Sequence, residues 1–216
     1  MRIVVRAERR TSIQLLFSGE SHKKSTATEG QGDRIKDYAA ANESGLDVMV
    51  NSRVSIDEQL RVINANQIHN GMVVGPAFAT VRDLVVQHGR AYKSKPLPRG
   101  QWSRGLQACY ANALHAAMSG KWVYVEGFAI PDKGDLAVLH AWVTNPKSPV
   151  VAHDPTWGRG REYFGIPFQL DYVLRMHEKA GYPGVLDVWE LGWPLLRGDD
   201  RIADVMWPDG RAPTIP

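Results

Sequence analysis

The sequence lacks the features that define several common classes of protein. It contains one cysteine among 216 residues, so no intramolecular disulfide can form, and a lone thiol is typical of a reducing compartment. Its start, Met1 to Arg6, has no apolar stretch long enough for a signal peptide or a membrane span. We therefore expect a cytoplasmic protein with no membrane partner.

Acidic residues are missing from one stretch of the chain. No Asp or Glu occurs from residue 84 to residue 125, while Arg90, Lys93, Lys95, Arg99 and Arg104 all lie there. A basic segment of this kind attracts acidic substrates or nucleic acid. Few aromatic residues are interleaved with these cations, however, and the chain contains no recognised nucleic-acid motif. A solvated linker is therefore favoured over a nucleic-acid partner.

Length and apolar content are sufficient for one large hydrophobic core. The 216 residues are 44% hydrophobic and include seven tryptophans, which favours a single core with a small accessory region. We divide the chain into an N-terminal accessory region at 1–89, a core at 90–195 and a C-terminal tail at 196–216. Residues 18–33 are rich in Ser, Thr, Gly, Lys and Glu, a composition typical of a flexible segment.

Apolar periodicity and capping residues predict the secondary structure around the core. Ser55, with Glu58 three residues later, is a capping box, so a helix is expected from Ile56 to Asn64. Further predicted elements are helices at 34–42, 78–87 and 169–180, a connector at 93–100, a strand at 186–191 and a loosely held tail from Asp199. The N-terminal region is thus expected to be partly helical.

The single cysteine lies where a helix is predicted to begin. Cys109 is at the start of an Ala-rich run that ends at Ser119 and Gly120, a pattern typical of a helix with a glycine stop. The first turn of a helix carries the positive end of the helix dipole and unpaired backbone N–H groups, which stabilise a thiolate. Cys109 is therefore a candidate nucleophile, although a single cysteine is also commonly a small buried hydrophobe.

Two β-type runs follow Cys109 and carry a histidine and an aspartate. His140 lies in the first run and Asp154 in the second, and the Asn- and Pro-containing segment 144–149 joins the runs as an antiparallel hairpin. Residues at the far ends of a hairpin can lie side by side, so Asp154 would orient the His140 imidazole while the other ring nitrogen faces the thiol. The competing interpretations are a core histidine for His140 and a turn former for Asp154.

These motifs resemble the transglutaminase-like core of the papain-type cysteine enzymes. The likeness rests on a cysteine at a helix start, the strand after Gly120, the run His140-Ala141-Trp142 and the run Asp154-Pro155-Thr156-Trp157, and it covers residues 103–168. It implies an α+β fold in which the catalytic helix packs on an antiparallel sheet, with Cys109, His140 and Asp154 as the catalytic triad. The superfamily includes protein cross-linkers, deamidases, peptidases and peptide:N-glycanases, and also members that have lost catalysis.

The resemblance and the three residues predict acyl transfer on an amide through a thioester at Cys109, with no cofactor. Hydrolysis of a protein or peptide substrate, of the peptidase or deamidase type, is expected first because water is always present. Transamidation is the alternative, and it requires a site for a second amine. A different class of function is a non-catalytic binding module of phage or mobile-element origin that uses the same cleft. No oligomeric state is predicted.

Five neighbouring residues are candidates for the rest of the site. Gln107 is either an amide donor to the oxyanion, beside the backbone N–H of the nucleophile, or a solvent-facing residue. Asn112, on a nearby face of the helix, is expected to bond to the loop over the site. Glu126 lies in an apolar strand, where it would bind substrate, pair with an arginine or point outward by strand alternation. Trp142 and Trp157 would wall the cleft or fill the core.

A metal centre is the last alternative. Cys109, His115, His140 and His153 are the side chains that would bind the metal, but the sequence has no Cys-x-x-Cys or His-x-x-x-His pair. One thiolate with scattered imidazoles is a poor zinc signature. We therefore predict no metal site.

Overall fold

The computed structural model describes residues 54–98 and 108–209, which contain both helices and strands. The helices are α1 (Ile56–His69), α2 (Val81–His88), α3 (Cys109–Ala117), α4 (Leu170–Ala180), α5 (Pro194–Arg197) and α6 (Ile202–Val205), with a 3-10 turn at Trp189–Leu191. The strands are β1 (Arg90–Lys95), β2 (Val123–Pro131), β3 (Val138–Asn145), β4 (Ser148–His153) and β5 (Gly160–Phe168). The predicted α+β class is confirmed, while the expectations for 18–33 and 34–42 lie outside the described residues.

The strands form one closed five-stranded sheet in the order β1, β4, β3, β2, β5, with β5 pairing back to β1. Four of the pairings are antiparallel, as expected, and β1 runs parallel to β4 with Lys93 opposite Val151. The connector expected at 93–100 is wrong for residues 93–95, which belong to β1. Tyr92 is the one side chain of β1 that is buried, so this strand has almost no apolar pattern by which to recognise it.

Two glycines allow β2 and β5 to approach closely. Gly127 of β2 lies opposite Gly165 of β5, and a Cβ on Gly127 would overlap the Gly165 backbone. A Cβ on Gly165 would lie 2.6 Å from the ring of Trp142. A side chain at either position would therefore push the strands apart, and one at Gly165 would also displace Trp142 of β3.

The sheet buries different side chains on its two faces. Each strand contributes to one cluster, which we call the inner cluster, and which contains Tyr92, Val125, Ala129, Trp142, Ala152 and Tyr163. The opposite face packs against the helices in a larger, outer cluster that includes Phe128, Val143 and Ile166. Because side chains alternate along a strand, neighbours such as Tyr163 and Phe164 belong to different clusters.

The helices before the sheet share the outer cluster. The Ser55 hydroxyl accepts the backbone N–H of Glu58 at 3.4 Å, as the capping box predicts, and α1 then continues beyond Asn64 to His69. Leu60 of α1 and Leu84 of α2 are fully buried in that cluster. The division of the chain at residue 89 stays a prediction. Among the described residues, no helix is long and apolar enough to cross a membrane.

The C-terminal part of the described chain differs from the prediction, although α4 confirms the helix expected at 169–180. The strand expected at 186–191 is wrong, because a side chain rather than a neighbouring strand accepts the backbone N–H groups of Val185 and Leu186. The tail expected to be loose from Asp199 is also wrong as far as residue 209. Trp207 is buried, and its backbone N–H donates to the carbonyl of Pro167 at 2.9 Å.

Candidate active site

Cys109 is the first residue of α3, as the sequence predicts, and its side chain is partly exposed. The preceding residue, Ala108, supplies no side-chain cap, and the first turn of α3 contains no acidic residue. The positive end of this helix dipole is therefore left to act on the thiol itself. Ala113, Leu114 and Ala117 bury the other side of α3 in the outer cluster, which fixes the helix against β3 and β2.

His140 and Asp154 meet at one end of the β3–β4 hairpin. The His140 Nε2 atom lies 2.8 Å from the Asp154 Oδ2 atom, and both residues are buried. The hairpin brings them together because β3 and β4 pair antiparallel, with Val143 opposite His153. His140 is thus a buried histidine with a hydrogen-bond partner, and Asp154 pairs with it in addition to forming the turn that follows, as both alternative interpretations expect.

The thiol of Cys109 is close enough to the same imidazole to interact with it. Since Nε2 faces Asp154, the other ring nitrogen, Nδ1, is the one available to the thiol. His140 thus lies between a thiol and a carboxylate. This is the arrangement that a nucleophile, its base and an orienting group require.

The surroundings of His140 and Asp154 favour their charged forms. Burial would lower the pKa of His140, but the hydrogen bonds to Asp154 and Cys109 outweigh burial and hold that pKa above its ordinary value. Burial would likewise raise the pKa of Asp154, but the hydrogen bond and charge of His140 hold that pKa below its ordinary value. An imidazolium beside a carboxylate is therefore a stable state of the pair.

Asp154 accepts four hydrogen bonds, and one donor is a residue that sequence reasoning missed. The backbone N–H groups of Thr156 and Trp157 donate to Oδ1 at 2.7 and 3.0 Å. The Tyr163 hydroxyl donates to Oδ2 at 2.9 Å, beside the His140 imidazole. Tyr163 lies on β5, outside the sequence motifs. The signal for it in the sequence is a tyrosine in a β-type run soon after the aspartate.

The two candidate tryptophans have different positions. Trp142 is fully buried in the inner cluster, where its ring centroid lies 5.1 Å from that of Tyr163. Trp157 is half-buried, and its ring stacks on the His140 imidazole with 3.7 Å between centroids and 12° between planes. Trp142 therefore fills the core, while Trp157 covers one face of the candidate base and limits its rotation.

Asn112 connects α3 to the loop that follows Asp154. Its buried amide Nδ2 donates to the Thr156 hydroxyl at 3.1 Å, in agreement with the expectation that it bonds to a loop over the site. This contact ties the helix of the candidate nucleophile to the loop of the carboxylate. Gln107, the expected oxyanion donor, lies outside the described residues.

Glu126 does not match two of its three predicted interpretations. It neither points outward nor pairs with an arginine of the described segments, because it is fully buried and accepts other donors. The Tyr124 hydroxyl and the N–H of Val185 donate to Oε2 at 3.0 and 2.8 Å, and the N–H of Leu186 donates to Oε1 at 3.0 Å. Burial is the main reason that the pKa of Glu126 is raised to about 7.

The structure does not bring all four residues of the metal alternative together. His115 is exposed on α3, while His153 packs its ring against Trp122 with 5.0 Å between centroids. Within 54–98 and 108–209, no group of three or more His, Cys, Asp and Glu side chains is arranged to hold a metal ion.

No family model, curated protein or solved structure that was compared with this chain matches it. The resemblance to the transglutaminase-like core is therefore carried by the motifs around Cys109, His140 and Asp154. Any function has to be argued from the geometry of those residues.

Proposed function

We propose that this protein is a cysteine-dependent acyl-transfer enzyme with a transglutaminase-like core, acting on an amide of a protein or peptide. The observation that carries the proposal is the buried His140, whose Nε2 lies 2.8 Å from Asp154 Oδ2 and which also interacts with Cys109. Thiol-dependent acyl transfer needs such a sequence of contacts, because the base must both ionise the nucleophile and hold its proton. The α+β fold, with α3 packed on the sheet, is compatible with this class.

In the first half of the reaction, the Cys109 sulfur forms a bond to the substrate carbonyl carbon while His140 takes the thiol proton. The electron pair of the carbonyl moves to its oxygen, and the backbone N–H groups at the start of α3 are available to donate to that oxyanion. When the pair returns, the carbon–nitrogen bond breaks, and the amine leaves with the proton held by His140. The product is a thioester at Cys109.

In the second half, water attacks the thioester and transfers a proton to His140. Collapse of that intermediate releases the acid and returns the proton to the Cys109 sulfur, so the enzyme is regenerated. Asp154 stays ionised throughout, because its hydrogen bonds hold its pKa low. Hydrolysis is the favoured outcome, and an amine that replaces the water would give transamidation.

The test is formation of the thioester. The full chain is mixed with a p-nitrophenyl ester of a short peptide, and the acylated protein is measured by intact mass and peptide mapping. We expect one acyl group at Cys109 and none in Cys109→Ala. His140→Ala should slow acylation by about 10²–10⁴-fold, the range that positioned acid–base groups contribute. His115→Ala is the matched control, because His115 is exposed on the same helix as the nucleophile.

Two results would contradict the proposal. The first is acylation of Cys109 at the same rate in wild type and His140→Ala, which would mean an ordinary surface thiol. The second is a protein partner that wild type and Cys109→Ala bind equally well and that wild type never alters in mass. That result would instead support the non-catalytic binding module.

A further inference from the structure

Glu126 holds a segment of backbone that would otherwise have no partner strand. Its two carboxylate oxygens accept the consecutive N–H groups of Val185 and Leu186, and the Tyr124 hydroxyl lies within hydrogen-bond distance of both Oε2 and the carbonyl of Pro183, at 3.0 and 3.1 Å. The segment 182–186 is thereby attached to β2 through side chains. Burying a carboxyl group is costly unless its oxygens are hydrogen-bonded, and this loop supplies two of the donors.

The held segment carries Tyr182, whose ring packs against Tyr110, the residue that follows the candidate nucleophile on α3. The rings of Tyr182 and Tyr110 meet edge to face at 5.1 Å between centroids. Burial raises the pKa of both tyrosines, and the charge of Cys109 raises it further. The Tyr182 ring also covers Gly184, where a Cβ would overlap the ring. The ring therefore has a defined position between Gly184 and Tyr110.

We propose that Tyr182 is a specificity-determining residue that forms a wall beside Cys109, and that Glu126 is the positioning residue that holds this wall in place. The inference rests on the proposed function, in which an acyl group has to reach the thiol. It adds that the width of the path to the Cys109 thiol is controlled by Glu126, on the outer face of the sheet. Bulky acyl groups are excluded by the Tyr182 ring as long as both Glu126 oxygens accept a backbone N–H.

The experiment compares two reagents on the same thiol in the full chain. Iodoacetamide is small and N-(1-pyrenyl)maleimide is bulky, and the ratio of their alkylation rates cancels changes in the reactivity of Cys109 itself. We expect Tyr182→Ala to raise the bulky-to-small ratio at least about fivefold, the factor that one hydrogen bond or a few contacts contribute. Glu126→Gln should also raise it, because an amide NH₂ cannot accept the second backbone N–H.

Glu178→Gln is the matched control, because Glu178 is exposed on α4 and the same change there should leave the ratio unaltered. An unchanged ratio in Tyr182→Ala overturns the inference, even if Glu126→Gln fails to fold. A lower melting temperature in Glu126→Gln with an unaltered ratio overturns the positioning role. Failure of both reagents to label the native wild type would refute the accessible thiol of the proposed function, and this inference with it.

Discussion

Asp154 and Glu126 are both carboxylates buried by the same closed sheet, with 1% and 0% of their surface exposed, yet their pKa values shift in opposite directions. Asp154 has four donors, including an imidazole that can carry a positive charge. Glu126 has three neutral donors, and the nearby carboxylate of Asp187 raises its pKa further. The difference teaches that a partner able to become cationic, rather than the extent of burial, decides which carboxylate stays ionised.

The two residues also suit different tasks. A carboxylate that stays ionised near neutral pH can hold an imidazolium, as the proposed mechanism requires of Asp154. A carboxyl with a pKa of about 7 is only partly ionised near neutral pH, so it is a poor electrostatic partner and serves as a hydrogen-bond acceptor. Each of the following predictions changes one donor or acceptor at these sites and tests whether the two carboxyl groups still differ.

The largest effect is expected for Asp154→Asn. An asparagine cannot stabilise the imidazolium of His140 and can present an N–H to the ring, which favours the wrong tautomer, so acylation of Cys109 should slow by about 10³–10⁴-fold. Rates from the ester assay measure this. Asp171→Asn, on the exposed face of α4, is the control. A loss of less than about tenfold would show that the carboxylate does not act through His140.

The next largest effect concerns the pH dependence of stability at Glu126. Because the pKa of Glu126 is raised from 4.5 to about 7 in the folded protein, the folded state keeps a proton that the unfolded state releases between these two pH values. The free energy of unfolding should therefore fall by ~3 kcal/mol as pH rises through it. Glu126→Gln, which cannot titrate, should lack this decrease.

Urea unfolding of both proteins at several pH values from 4 to 8 measures that difference, and contributions from groups shared by the two proteins, His140 included, cancel in the subtraction. A wild type and a variant with parallel pH profiles would mean that folding does not raise the pKa of Glu126. The contrast with Asp154 would then disappear.

A smaller effect is expected for Tyr163→Phe, which removes one donor from Asp154 and leaves His140 in place. The free energy of unfolding should fall by about 2 kcal/mol, since hydrogen bonds to charged groups are worth about 1.5–3 kcal/mol. The pKa of Asp154 should also rise. A carboxyl group with a lowered pKa stabilises the folded state at pH values above its ordinary pKa, and this stabilisation is lost as the pH falls. Because Tyr163→Phe weakens it, acid unfolding should begin at a higher pH.

Tyr92→Phe is the matched control, because Tyr92 belongs to the same inner cluster but bonds to Arg90 rather than to Asp154. Acid titrations followed by tryptophan fluorescence compare the three proteins. Identical acid midpoints for wild type and Tyr163→Phe would show that the hydroxyl does not help to hold the carboxylate.

Predictions based on local pattern agree with the structure wherever neighbouring residues decide the outcome. The capping box at Ser55 and Glu58, the helix start at Cys109 and the hairpin that joins His140 to Asp154 were all readable, because caps, turns and alternation act over a few residues. β1 could not be predicted in this way, because its single buried residue gives no alternation. It is a strand only because β4 and β5 lie on either side of it.

The residues of the candidate site divide in the same way, between features set by neighbouring residues and features set by tertiary contacts. The sequence alone determined that one thiol, one imidazole and one carboxylate would lie on a helix start and a hairpin, because short-range signals place them there. Only the tertiary structure decided that Tyr163 is the fourth donor to Asp154 and that Glu126 holds the backbone of Val185 and Leu186. Tyr163 lies on β5, nine residues after Asp154, and Val185 and Leu186 lie 59 and 60 residues after Glu126. Whether a buried carboxylate is ionised depends on such partners, which no local pattern specifies.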